Sequence, residues 1–155
     1  MRDPSNLGSL IRVANALPIR MMLLASNSVD PWDTKTIRGS SGSVFHLPIK
    51  YRVGWQNIDT NTGSDEVVLL ADNNIKKYDS DRIINYDQIP TELVKDKNIT
   101  VIIGGETHGI SEEAFAFAAK RDYRVINIPL DRTCNSLNVS TALGIILFEL
   151  RRLMA

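Results

Sequence analysis

The chain has 155 residues, 43% of them hydrophobic, which suffices for one domain with a full core and is too short for two ordinary ones. Eighteen Lys and Arg balance eighteen Asp and Glu, so overall charge does not draw the molecule to nucleic acid or to a membrane surface. A single cysteine, Cys134, excludes an internal disulfide and a multi-cysteine metal centre; His46 and His108 are the only histidines, and no metal is expected.

The zero net charge conceals an uneven distribution. Residues 1–57 carry seven basic and three acidic side chains, a balance of +4, whereas residues 58–98 carry five and nine, a balance of −4. An anionic partner is therefore expected to meet the first third. No apolar run approaches a membrane span, and the first residues form neither a signal peptide nor an Arg-rich transit segment. The expectation is a soluble protein in a reducing compartment.

Asp3-Pro4-Ser5-Asn6 reads as a helix start with Ser5 or Asn6 as N-cap, and Leu7, Leu10, Ile11 and Ala14 follow at helical spacing. Gly8 and Arg12, four apart, share another face with Asn6 at its mouth. A glycine-lined helix N-terminus beside a guanidinium suits a phosphate, although a capped surface helix with a solvated Arg12 has the same pattern. Residues 20–25 (RMMLLA) predict a buried strand, and Asp30-Pro31 the cap and first position of a short helix ending near Gly39. The small polar run 39–43 is a flexible turn or a close backbone approach to a ligand. Residues 44–49 read as a short strand or extended segment, and residues 66–71 (EVVLLA) as a buried strand after a turn-rich stretch at 59–64.

Residues 72–98 are polar and weakly periodic, a loop with one short helix near 89–94. Residues 100–103 (TVII) form the next strand, running into Gly104-Gly105-Glu106-Thr107-His108-Gly109-Ile110-Ser111. Ser111 caps a helix whose first turn carries Glu112 and Glu113. A strand at 124–128 then meets Pro129, a polar loop containing Cys134, and Ser136-Leu137-Asn138, which launches a helix over 137–154. Val139, Leu143, Ile146, Leu150 and Leu153 make one apolar stripe on it, and Ala142, Ile145 and Phe148 widen that stripe to a second side. Such a helix is buried on two sides, centrally or at a subunit interface. Alternating strands and helices give an α/β fold with a mainly parallel sheet flanked by helices. In such folds a strand-loop-helix junction is a place for a site, because backbone groups at the strand's carboxyl end and the helix's first amides face one crevice.

Three stretches in order, Asn6-x-Gly8-x-x-x-Arg12, Gly104-x-Glu106-x-x-Gly109-x-Ser111 and Ile128-Pro129 followed by Ser136-Leu137-Asn138-Val139-Ser140, together resemble the motifs of the SpoU (TrmH-like) branch of the SPOUT superfamily of RNA 2′-O-ribose methyltransferases. The resemblance spans essentially the whole chain, and the wording VIIGGETHGIS, with the ADN at residues 71–73, is most similar to the mitochondrial large-subunit rRNA methyltransferase 3 group. It implies a single SpoU-type domain over residues 1–155 with a carboxyl-terminal deep trefoil knot, S-adenosylmethionine held in that knot, and a homodimer. It implies backbone contacts to the cofactor at Gly104, Ile128 and Leu137, and a polar catalytic and substrate-positioning set of Asn6, Arg12, Glu106, Ser136 and Asn138. RNA is the implied substrate, rRNA before tRNA, and mitochondria the implied location, with the cytoplasm the alternative. Relatives also carry a strand before the first motif and an amino-terminal RNA-binding extension, whereas only Met1 and Arg2 precede Asp3 here.

The chemistry needs a 2′-hydroxyl to lose its proton, and an arginine, always protonated, is a poor base. Arg12 is better suited to grip the adjacent phosphate and stabilise the developing alkoxide, the proton leaving through a phosphate oxygen, Ser136 or water. His108 and Cys134 read as loop residues. Trp32 and Trp55 read as core or interface packing, with base stacking as the other option. A rival of another class is a knotted dimer that binds cofactor or ribosomal RNA without turnover.

Overall fold

The computed structural model describes residues 1–58, 66–105 and 109–155. The expected turn at 59–64, and the expected site residue Glu106 with its neighbour His108, lie outside the described residues.

β3 (Glu66–Ala71) is the centre of the larger sheet. Five of its six residues are buried, as an uninterrupted Val and Leu run requires of a strand covered on both faces. It pairs in parallel with β5 (Asn98–Ile103) on one side and β6 (Asp122–Asn127) on the other, and β4 (Ile83–Asn85) adds to β6, giving the order β4-β6-β3-β5. β1 (Met22–Ala25) and β2 (Ile49–Val53) form a separate parallel pair. Every named strand pairing is parallel, as expected for an α/β chain.

Alternate residues of β3 serve two layers. Val68 and Leu70 pack with Ala114, Phe117 and Ala118 of α4 (Glu112–Ala119), while Val67 and Leu69 pack with Ile146 and Leu150 of α5 (Val139–Met154). α1 (Pro4–Asn15) turns Leu7, Ile11 and Ala14 toward Leu24, Val44 and Leu47, and Leu10 toward Val139 and Leu143. Met22 and Ile103 both pack on that last cluster, so the two sheets share one interior. Glu66, buried at the start of β3, accepts from the Thr100 hydroxyl at 2.8 Å and from Arg121 Nε at 3.1 Å, tying β3, β5 and the end of α4 together.

Several expectations are corrected. The cap of α1 is Asp3, whose Oδ1 accepts from the Asn6 amide at 2.8 Å, and not Ser5 or Asn6; Pro4 lacks a donor and fits the first helical position, which places the cap before it. α2 (Thr34–Gly39) likewise starts from Asp33, whose carboxylate accepts from the Lys35 amide, while Asp30 closes a turn onto the Trp32 amide. The strand read at 44–49 is a 3-10 turn, Ser43–Phe45, followed by β2. Ser41 and Gly42, with φ of 50° and 83°, turn the chain sharply there. β4 and α3 (Thr91–Val94) lie within the polar stretch 72–98, where only the short helix was expected. α5 buries Val139, Leu143, Ile146 and Leu150 within the chain; on its second side Phe148 is 53% exposed, so of the two expected placements a central one is not met and a subunit interface is left open.

Candidate active site

Because the strands are parallel, the carboxyl ends of β3, β5 and β6 open on one edge, and there they bound a cavity of about 370 Å³. The chain crosses β3 between β5 and β6, the kind of switch point at which α/β sheets open a crevice for ligands. Ile103, Ile126 and Ile128 give the cavity an apolar floor, closed by Val139 and Ile146 of α5.

The loop after β5 is built by glycine. Gly105 and Gly109 exchange backbone hydrogen bonds of 3.2 and 2.9 Å, folding the loop back on itself. A Cβ on Gly104 would meet the Gly109 carbonyl carbon at 2.2 Å, so only glycine fits. Gly109 takes a φ of 63°. The backbone is thereby exposed to the cavity at Gly104 and Gly105.

The loop after β6 supplies Ile128, Leu130, Ser136 and Leu137 to the lining. It is held by Asp131, whose carboxylate accepts from the Thr133 hydroxyl at 2.6 Å and amide at 2.9 Å, which holds its carboxyl below the ordinary value. Asn138 ends it as N-cap of α5, its Oδ1 accepting from the Ser140 amide at 2.9 Å. Its Nδ2 donates to Asn6 Oδ1 at 3.0 Å, joining the first and last motifs.

The loop after β3 was not expected in the site. Asp72, Asn73, Asn74 and Lys77 line the cavity mouth. The Asp72 side chain, 6% exposed, lies 2.8 Å from Lys77 Nζ and accepts from the Tyr78 hydroxyl at 2.8 Å and the Asn74 amide at 2.9 Å. Burial raises its carboxyl, but the bonds from Lys77, Asn74 and Tyr78 outweigh burial and hold it below the ordinary carboxylate value. Burial and then the bond to Asp72 push the Tyr78 hydroxyl upward. Asn73 Nδ2 donates to the Asn135 carbonyl at 2.9 Å and so bridges to the β6 loop. The signal in the sequence was positional: residues just past a buried parallel strand stand at the binding edge.

Of the expected residues, Gly104, Ile128, Ser136 and Leu137 come together in the cavity, and Asn6 and Asn138 meet through their side chains. Arg12 is exposed on α1, about 9 Å along the axis from Asn6 at 1.5 Å per residue, and does not line the cavity. Gly8 is no phosphate cradle. It is buried against α2, where a Cβ would meet the Thr36 carbonyl oxygen at 2.6 Å and Gly39 Cα at 2.8 Å, and the acidic Asp3 caps that helix end. Cys134 is exposed, its thiol 3.5 Å from the Ser136 carbonyl. Trp55 packs on Phe117 at 5.5 Å, whereas Trp32 is 52% exposed. Among the described residues, no cluster of His, Cys, Asp and Glu can hold a metal ion, and no helix is long and apolar enough to cross a membrane.

A parallel α/β sheet with a glycine-built loop and a cavity at its carboxyl edge is the switch-point arrangement at which α/β folds take up ligands. The chain belongs to the SpoU rRNA Methylase family, which it matches over residues 1–148. It is 30% identical to the mitochondrial rRNA methyltransferase 3A of Danio rerio, over 98% of this chain and 42% of that protein. It is also 30% identical to the 23S rRNA (guanosine(2553)-2'-O)-methyltransferase RlmP of Bacillus subtilis, over 97% of this chain and 55% of that one. Among solved structures, the SpoU methyltransferase AviRb of Streptomyces viridochromogenes, in complex with its cofactor AdoMet, superposes with a TM-score of 0.76 at 28% identity, over 97% of this chain and 56% of that one. The chain thus spans about half the length of the curated relatives it matches.

Proposed function

We propose that residues 1–155 are a single S-adenosylmethionine-dependent 2′-O-ribose methyltransferase domain acting on large-subunit rRNA. One observation carries the reading: the three motif stretches converge, with Gly104, Ile128, Ser136 and Leu137 lining one cavity and Asn138 bonded across 132 residues to Asn6 at 3.0 Å. The names of the relatives supply the substrate class.

The residues fit the cofactor. The absent Cβ at Gly104 lets the Gly109 backbone close against it and shapes the loop so that Gly104 and Gly105 line the cavity, the Ile103, Ile126 and Ile128 floor suits an apolar ring, and Asp72 and Asn73 at the mouth suit hydroxyl or amine donors. When bound, S-adenosylmethionine supplies an activated methyl group. The chain's own part is positioning and electrostatics. Arg12 holds the phosphate beside the target ribose and lowers the energy of the developing alkoxide; Asn6 and Asn138 fix the edge of α1 against α5; the departing proton passes to a phosphate oxygen or to water, directly or relayed through the Ser136 hydroxyl. Glu106 completes this polar set by resemblance.

Membership of the SpoU family supports the carboxyl-terminal trefoil knot that the motif resemblance implies, and the exposed Phe148 on the second side of α5 supports a homodimer. The mitochondrial and bacterial relatives, at equal identity, are both named for rRNA, and the 23S rRNA in the bacterial name favours the large subunit; the vertebrate likeness favours a mitochondrial location. The test is Arg12→Lys: turnover falls by at least tenfold while calorimetry shows cofactor binding unchanged. Loss of cofactor binding as well would refute the assignment of Arg12. A tRNA substrate is separated by supplying both RNAs.

A further inference from the structure

Two aromatic side chains in the basic third of the chain stand in solvent. Trp32 is 52% exposed and Phe45 65%, though 13 positions apart in sequence, and their ring centroids lie 6.1 Å apart at a 37° tilt. Both are carried on fixed backbone. The Trp32 amide donates to Asp30 Oδ1 at 2.9 Å, and the Phe45 amide to the Gly42 carbonyl at 3.1 Å. Lys35 and Arg38 on α2 and His46 after the 3-10 turn are exposed and near them in sequence, as are Asp30 and Asp33, whose carboxylates are bonded to the Trp32 and Lys35 amides. Val44, next to Phe45, is buried against Leu7 and Ile11 of α1, the helix that bears Asn6 and Arg12.

Resting on the functional reading above, we infer that Trp32 and Phe45, with Lys35 and Arg38, form a docking surface for single-stranded RNA that feeds the target nucleotide toward α1. Aromatic faces interleaved with cations are the features that hold single strands, because every base stacks and every nucleotide carries a phosphate. The rings are closer than the two stacking steps of about 3.4 Å each that a sandwiched base needs. Bases therefore lie on the outer side of the pair, one per ring. The +4 balance of residues 1–57 favours an anionic strand over a second copy of the same basic region.

The test measures the affinity of a labelled single-stranded twelve-nucleotide RNA of mixed sequence, by anisotropy, for the full chain and its variants. S-adenosylmethionine binding is followed in parallel by calorimetry. Trp32→Ala with Phe45→Ala weakens RNA binding roughly 10- to 100-fold and leaves cofactor binding unchanged. Trp32→Phe, which keeps a ring, restores most of the affinity, and Phe115→Ala, an exposed aromatic elsewhere, leaves it as in the wild type. Undiminished RNA affinity in the double alanine variant would overturn the inference. So would a double variant that loses its dimer while its RNA affinity persists, which would give the patch to a second copy. Wild type that binds the cofactor but no RNA would refute the RNA reading as a whole, whereas wild-type binding indifferent to the pair would remove the docking surface alone.

Discussion

Asn138 Nδ2 donates to Asn6 Oδ1 at 3.0 Å across 132 residues of sequence, while Asn138 Oδ1 caps α5 through the Ser140 amide at 2.9 Å. One side chain thus starts the last helix and holds the first. Asn138→Ala is expected to lower stability by about 1 kcal/mol through the lost cap. Asn138→Asp keeps the cap but replaces the donor facing Asn6 with a carboxylate, so it retains most of the stability and loses turnover. Denaturant melts and initial rates on the same two variants separate the roles, and in a double-mutant cycle Asn6→Ala adds little to the rate loss of Asn138→Asp.

Adjacent glycines predict opposite outcomes. A Cβ at Gly104 meets the Gly109 backbone at 2.2 Å, whereas one at Gly105 meets nothing within 4 Å. Gly104→Ala should therefore displace the loop and abolish measurable cofactor binding in calorimetry. Gly105→Ala should leave the melting temperature within about 2 °C of wild type, as expected of a substitution that disturbs no packing.

The Asp72 cluster gives a pH signature. Burial raises the folded-state carboxyl, but Lys77, Asn74 and Tyr78 outweigh it and hold the group below its ordinary value. A depressed acid stabilises the fold at pH values above its unfolded value, and that contribution fades as pH falls through the folded value. The melting-temperature gap between wild type and Asp72→Asn should be constant from about pH 8 to pH 5 and should close below about pH 4. A gap that widens on acidification would contradict this.

Glu66 is nearly dry, its side chain 5% exposed, against an Arg121 side chain 25% exposed. Glu66→Ala strips the acceptor from both the Thr100 hydroxyl and Arg121 Nε. Breaking such a pair from one side should cost about 3 kcal/mol in urea titration. Glu66→Gln, which keeps an acceptor for Thr100, should cost less.

The parts legible in the sequence are those where one local rule dominates. The run Glu66–Ala71 could only be a strand covered on both faces, and Ser111 before two glutamates could only cap α4, its hydroxyl accepting from the Ala114 amide at 3.2 Å. The cavity residues Gly104, Ile128, Ser136 and Leu137 were legible through motif resemblance, because backbone-lined sites impose sequence at the loop. The misreadings arose where two local signals competed. Asp30 and Asp33 both resemble caps, and only packing decides that the buried Pro31 precedes the helix and does not begin it. β4 is three residues long in an acidic stretch and exists because β6 offers an edge, a tertiary effect with no local signature. Gly8 reads as a ligand glycine from its motif, yet its lost Cβ serves contact with Gly39 of α2; helix-to-helix approach leaves no mark on spacing within one helix. Asp72 is legible in the sequence only as part of the ADN resemblance and not as a site residue, because its partners Lys77 and Tyr78 join it only through the turn that follows β3.

The most direct test of the central claim is to incubate the chain with methyl-labelled S-adenosylmethionine and large-subunit rRNA, hydrolyse the product in alkali, and locate the label. A methyl on the 2′-oxygen removes the hydroxyl that alkali needs, so the account predicts label in an alkali-resistant dinucleotide, absent with Arg12→Ala. Label released in mononucleotides would place the methyl on a base and contradict the proposed chemistry; absence of label from rRNA, with cofactor bound, would contradict the activity itself.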